Sequence, residues 1–281
     1  MLVAKNIAEV KSHLNKERDA GCKIALVPTM GALHDGHLAL IKKAHEVAES
    51  VIVSLFVNKA QFNDLGDYEK YPRQIEDDLK VLKRAGVSCV FMPQDAEIFP
   101  KKPIFKISVE KISDCLCGAS RPGHFDGVAL IITKFFNIIN PDFAIFGEKD
   151  FQQLAIIKQL VQDFNFDVEI ISVETMRHNS GLAMSSRNQR LSESSRIKAE
   201  GISKILSKAR DEIRRYPDNI TKILDQKHQE LMEIGFDEVD YLEVRNESDL
   251  KLVTKFDSSC SARIFIAVYL EKVRLIDNLI L

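Results

Sequence analysis

IALVPTMGALHDGHLALI, residues 24–41, is the stretch from which the rest of the chain can be read. Its first four residues, Ile24, Ala25, Leu26 and Val27, form an apolar run that ends at Pro28, the pattern of a buried strand. Gly31 and Gly36 mark a turn-rich segment, and His34 and His37 flank Asp35-Gly36 as H-x-G-H. Leu38, Leu40, Ile41 and Ala44 then recur at helical spacing. The order is strand, glycine loop, helix, with both histidines at the helix start. The first N–H groups of a helix lack intrahelical partners, and the dipole favours negative charge there. Imidazoles at that point add donors toward a phosphoryl group. A single histidine there is ordinarily a cap or a surface residue. Two of them around a glycine, directly after a buried-type strand, point to phosphate.

The flanking sequence extends this pattern. Residues 5–20 read as a helix, with Ile7, Val10 and Leu14 on one stripe. Residues 51–57 are almost wholly apolar, as in a parallel strand covered on both faces. They run into the polar loop Asn58-Lys59-Ala60-Gln61-Phe62-Asn63. A helix over 74–85 stops at Gly86, and a strand over 88–92 stops at Pro93. Residues 104–120 read as a small excursion. A helix over 128–139, a strand over 143–146, a helix over 151–164 and a strand over 168–173 follow. This alternation predicts an α/β fold, a doubly wound, Rossmann-like parallel sheet over residues 1–175. Past 176 the texture changes to a long helix over 192–215, a second over 220–234, and strands over 239–244, 263–270 and 273–279. Residues 176–281 therefore read as a smaller α+β C-terminal domain, with the boundary near 174–190.

Composition narrows the function. The chain has 281 residues, 45% hydrophobic and 28% charged, with a formal net charge of −2. Neither a nucleic-acid partner nor an anionic membrane is favoured by that balance. No apolar run is long enough to span a bilayer, and residues 1–14 lack a signal-peptide core. Cys22, Cys89, Cys115, Cys117 and Cys260 are scattered and odd in number, which suggests free thiols in a reducing, cytoplasmic setting.

Ligands of doubly wound sheets bind beyond the carboxyl ends of the strands. Polar clusters sit at four such ends: after Val27, Val57, Phe146 and Val173. Glu148-Lys149-Asp150 places a lysine just past a strand, where it can meet phosphate oxygens. Met184-Ser185-Ser186-Arg187 offers two hydroxyls and a guanidinium, which can grip a triphosphate. Gln61 and Gln153 are neutral donors and acceptors suited to an uncharged polar group.

Six motifs recur in one order: PTMGALHDGH (28–37), FVNKAQF (56–62), YPR before an acidic helix (71–78), RPGHFDGV (121–128), FGEKDFQQL (146–154) and GLAMSSRN (181–188). On these the chain resembles the pantoate–β-alanine ligases of the H-x-G-H nucleotidylyltransferase superfamily, over most of its length. The resemblance implies ATP-dependent condensation of (R)-pantoate with β-alanine through pantoyl adenylate, with Mg²⁺ accompanying ATP. By motif matching, Met30, Gly31, Ala32, Leu33, His34, Asp35, Gly36 and His37 would cradle ATP, with the two histidines on the phosphates. Gly147, Glu148, Lys149 and Asp150 would bind the nucleotide. Met184, Ser185, Ser186 and Arg187 would close over the triphosphate, and Met176 would meet the adenine through its backbone. His34, His37, Lys149 and Arg187 would be the catalytic set. Gln61 and Gln153 would hold pantoate, with Gln61 also facing β-alanine and Asn58 and Arg121 in support. The resemblance further implies a homodimer. Lys59 stands where the family usually has proline, and Met176 where it usually has valine. The MSSR loop lacks the lysines of the superfamily's KMSKS loop.

Other readings differ in what they require. Another ligase of the superfamily would share the motifs but use a different acceptor. A fragment of an aminoacyl-tRNA synthetase would want a basic RNA-binding face. A metal-binding module would want acidic or cysteine ligands near His34 and His37.

Overall fold

The apolar run opening at Ile24 becomes a central strand because both of its faces are covered. In the computed structural model, which describes residues 1–63 and 65–281, Ile24 and Leu26 join one core and Ala25 and Val27 the other. The first core packs the helices Ile7–Asp19, His124–Ile139 and Phe151–Phe164 against the sheet. The second packs Asp35–Val47 and Ile75–Arg84 on the opposite face.

The strands β1 (Leu2–Ala4), β2 (Ile24–Thr29), β3 (Ser50–Leu55), β4 (Cys89–Phe91), β5 (Phe143–Gly147) and β6 (Glu169–Val173) form one parallel sheet in the order β1-β4-β3-β2-β5-β6. The chain winds outward from β2 through β3 and β4, then returns to place β5 on the other side of β2. The order reverses between β2 and β5, and that is where such sheets open a crevice for a ligand. The loop with the two histidines follows β2, and the turn with Lys149 follows β5.

The remaining strands, β7 (Glu238–Asn246), β8 (Ala262–Leu270) and β9 (Val273–Ile280), make an antiparallel meander. The helices Gly201–Arg215 and Ile220–Ile234 cover it with Ile205, Leu206, Ile213, Ile223 and Leu231, which share a core with Ile264, Ile266 and Val268 of β8.

Three expectations change. β1 was not foreseen: Leu2–Ala4 is too short to show a period, and its partner β4 is remote in sequence. β2 runs through Pro28 to Thr29 instead of ending at the proline. β5 pairs with β2 only at Ala25 and Leu26, so the missing N–H of Pro28 leaves no ladder bond unmade on that side. The helix expected over 192–215 is two, Glu193–Ala199 and Gly201–Arg215. A Cβ on Gly201 would lie 3.1 Å from Ile234, so glycine there admits the neighbouring helix at the break. The apolar period continues across the break, which hides it from a linear reading.

Candidate active site

The four polar clusters meet in one cavity of about 240 Å³ at the carboxyl edge of the parallel sheet. Met30, Gly36, His34 and His37 line it after β2, Asn58 and Gln61 after β3, Gly147, Lys149, Asp150 and Gln153 after β5, and Met176 with Met184, Ser185, Ser186 and Arg187 after β6. Gly31, Ala32, Leu33, Asp35 and Glu148 do not line it.

His34 is the N-cap of the Asp35–Val47 helix, and its Nδ1 accepts the Gly36 N–H at 3.1 Å. The Nδ1 of His37 accepts the His34 N–H at 3.3 Å. Both rings thus spend Nδ1 as an acceptor, so each neutral imidazole carries its proton on Nε2. Burial, with Lys149 nearby, pushes the His34 pKa down to about 4. Burial, with His34 nearby, pushes His37 down to about 3. At neutral pH these are uncharged rings with an N–H to donate.

The loop before them is held from outside the cavity. Asp78, on the Ile75–Arg84 helix and only 4% exposed, accepts the N–H of Ala32 at 2.9 Å and of Leu33 at 2.8 Å. Ala32 and Leu33 therefore direct their donors to Asp78 and away from the cavity. Gly31, at φ 84°, brings the chain so close that a Cβ would lie 2.9 Å from the same carboxylate.

Gln61 ends the 3₁₀ turn Lys59–Gln61, whose N-cap Asn58 accepts the Ala60 N–H. Asn58 Nδ2 donates to Gln61 Oε1 at 3.1 Å and to the Gly127 carbonyl at 3.0 Å. The Gln61 carbonyl takes the His124 Nδ1–H at 2.7 Å and an Arg121 Nη2–H at 3.2 Å. That leaves His124 Nε2 to accept from Arg121 Nη1 at 3.0 Å. Burial, then the Arg121 charge, pushes the His124 pKa down to about 3. A Cβ on Gly127 would stand 2.3 Å from the Ala60 carbonyl oxygen, so the glycine is what allows this close approach. Lys59 lies over the Tyr68 ring at 5.9 Å.

The turn Glu148–Asp150 leads directly into the Phe151–Phe164 helix, which carries Gln153. Lys149 enters the cavity, and its ammonium has no hydrogen-bond or ion-pair partner among the described residues. Glu148 turns away and accepts from Ser172 at 3.1 Å and from Arg263 at 3.2 Å. Met184 N–H donates to the Met176 carbonyl at 2.9 Å, so the two methionines meet at the cavity rim. Ser186 Oγ lies 3.4 Å from the Tyr71 hydroxyl. Arg187 and Arg190 share the Asp67 carboxylate at 3.0 and 2.6 Å.

Sequence reasoning passed over Asp78, His124 and Asp67. Asp78 belongs to the acidic start of a helix, which ordinarily only complements the dipole. His124 lies inside the quoted RPGHFDGV motif without a distinguishing neighbour. Asp67 has no local signal at all.

The fold and the cavity at its switch point are those of a Rossmann-like nucleotide-binding protein. More specifically, the chain belongs to the pantoate–β-alanine ligase family, whose model matches residues 2–280. It is 45% identical over 275 residues to the pantothenate synthetase of a Marinomonas species, covering 97% of this chain and 96% of that one. It is 40% identical over 280 residues to that of Caldicellulosiruptor bescii, covering 100% and 99%. Among solved structures, the pantothenate synthetase of Thermus thermophilus superposes with a TM-score of 0.92 at 36% identity, covering 99% of both chains. The pantoate–β-alanine ligase of Francisella tularensis, solved with β,γ-ATP and β-alanine, gives 0.82 at 37% identity, covering 100% of this chain and 97% of that one.

Proposed function

We propose that the chain joins (R)-pantoate to β-alanine in two steps, through a pantoyl adenylate, while ATP becomes AMP and pyrophosphate. One juxtaposition carries this reading. At the switch point, His34 and His37 after β2 and Lys149 after β5 face one cavity, with Gln61 and Gln153 also on its wall.

Pantoate's carboxylate is ionised at neutral pH, since carboxyl pKa values lie near about 4. It needs no general base to attack the α-phosphorus. As its oxygen bonds to that phosphorus, the bond to pyrophosphate breaks, and the demand is for charge neutralisation at the phosphates. His34 and His37 supply neutral Nε2–H donors, and the helix they cap adds its dipole. Lys149 and Arg187 supply positive charge. Arg187 exchanges the Asp67 carboxylate for phosphate oxygens, one anionic partner for another. Gly147, Asp150, Met184, Ser185 and Ser186 bound the nucleotide, and the Met176 backbone meets the adenine. Gln61 and Gln153 hydrogen-bond pantoate, and Val128, Ile131, Ile132 and Phe135 give its dimethyl carbon an apolar wall.

Magnesium bound mainly through phosphate oxygens takes one or two protein carboxylates. Asp150 and Glu174 line the cavity, and no cluster of three candidate ligands exists among the described residues. The donor set fits an ion that would arrive with ATP and that Asp150 or Glu174 would help to hold. When bound, the ion supplies further neutralisation of the triphosphate.

In the second step the ammonium of β-alanine, with a pKa of about 10 by analogy with lysine, first yields a proton to solvent. The amine, facing Gln61, then attacks the acyl carbon. The bond from that carbon to the AMP oxygen breaks, and the nitrogen's second proton leaves to AMP or to solvent. Acyl adenylates hydrolyse readily, so water must be excluded. The segment carrying Met184 to Arg187, which lines the cavity, would close over it. Homodimeric assembly and a cytoplasmic location belong to the same reading. No helix among the described residues is long and apolar enough to cross a membrane.

Isotope exchange tests the order of events. With ATP, Mg²⁺ and pantoate but no β-alanine, the protein should exchange labelled pyrophosphate into ATP. Exchange that required β-alanine, or release of ADP and phosphate, would instead indicate an acyl phosphate and overturn the reading.

A further inference from the structure

The antiparallel sheet reaches the Glu148–Asp150 turn through β9. Asn278 and Asp277, neighbours on that strand, are each 3% exposed. The Asn278 amide is fully used. Its Nδ2 donates to the carbonyl of Glu148 at 2.9 Å and of Lys149 at 3.0 Å, and its Oδ1 accepts from Arg263 Nη1 at 2.6 Å. Arg263 is itself held by Glu148 at 3.2 Å, by Glu247 at 2.7 Å and over the Phe151 ring at 4.2 Å. The Asn278 N–H goes to Asp277 Oδ1 at 2.8 Å, and Arg177 grips both oxygens of Asp277 at 2.6 and 2.9 Å.

One side chain from the second sheet thus fixes two consecutive carbonyls of the turn that follows β5. The Lys149 ammonium has no partner of its own among the described residues, so its place in the cavity depends on the backbone from which it extends. A buried network of this kind is rigid only when every member is satisfied.

We propose that Asn278 is a positioning residue for carboxylate activation, holding the Glu148–Asp150 turn so that Lys149 meets the phosphates. The inference rests on the role given to Lys149 above. Misplacing a reacting group by about 1 Å can cost about a hundredfold in rate.

The test is pyrophosphate exchange by the full chain with ATP and pantoate, in Asn278→Asp, Asn278→Ala, Lys149→Ala and the double variant Asn278→Ala/Lys149→Ala. Asn278→Asp keeps the shape and the acceptor for Arg263 but sets a carboxylate oxygen against two carbonyls. A residue serving only as the Arg263 partner would tolerate that change. Both Asn278 variants should lower the maximal exchange rate by about ten- to a hundredfold, and both should melt below the parent because the Glu148 and Lys149 carbonyls lose their donor. Asn278→Ala should cost nothing further once Lys149 is alanine, because coupled residues are not additive. A double variant showing the product of the two separate losses would overturn the inference. So would unchanged exchange in Asn278→Asp beside a slow Lys149→Ala. Unchanged exchange in Lys149→Ala would overturn the role of Lys149 and this inference with it.

Discussion

In the proposed mechanism His34 and His37 act through their proton placement as much as their position. Each lends Nδ1 to a backbone N–H, which leaves Nε2–H as the donor. His37→Ala should lower exchange by about a hundredfold, the scale of losing a transition-state donor. The variant also loses the return bond from His37 Nδ1 to the N-cap N–H, worth about 0.5–1.5 kcal/mol, so a small fall in melting temperature is expected alongside. Near-normal exchange would remove His37 from the phosphate chemistry. The buried histidines also set an acid limit. His34, His37 and His124 hold folded pKa values of about 4, 3 and 3, below the ordinary histidine value of about 6.5. Between those values the unfolded chain binds more protons, so stability rises with pH. Their contribution is complete above about pH 6.5 and is lost as pH falls toward 3 to 4. His124→Asn should therefore show a flatter decline in melting temperature between pH 6.5 and 4 than the parent chain. A parallel decline would show that His124 does not contribute.

At the scale of elements, each loop on the cavity edge is positioned by a residue from a different element. The Ile75–Arg84 helix holds the histidine loop through Asp78, and the His124–Ile139 helix holds the Gln61 turn through Gly127, His124 and Asn58. Asp78→Asn should orphan at least one of the Ala32 and Leu33 N–H groups, costing about 1–3 kcal/mol. Calorimetry should show a lower melting temperature, and exchange should slow with it. An unaltered melting temperature would mean the carboxylate is dispensable. Gly127→Ala forces the Gln61 turn outward, since its Cβ cannot share space with the Ala60 carbonyl. Pantoate affinity by titration calorimetry should fall by about 1–3 kcal/mol while ATP affinity holds. Equal losses for both ligands would signal general misfolding. The motifs on these loops were legible because each packs distinctive residues into a few positions. Their supports were not, because Asp78, His124 and Asn278 read locally as a helix-start acid, a loop histidine and a strand asparagine.

At the scale of the whole molecule, residues 176–281 both line the cavity and hold the turn that follows β5. The parallel sheet is complete at Val173, so we propose that residues 1–175 are a unit able to fold. Without β9, however, the Glu148–Asp150 turn loses Asn278 and Glu148 loses Arg263. A chain ending at 175 should be folded by circular dichroism, melt lower and catalyse no pyrophosphate exchange. Exchange at the parent rate would show the second sheet to be unnecessary. By itself the sequence determined the alternation of strand and helix, the parallel sheet, and the sheet edge on which the polar clusters gather around one cavity. Those follow from period, punctuation and composition within short windows. Tertiary structure alone decided the edge strand β1, the break at Gly201, the donors of Ala32 and Leu33 turning to Asp78, and Glu148 turning to Arg263. Each of those depends on a partner remote in sequence, and burial by a remote partner decides whether a polar group faces the ligand or holds the fold.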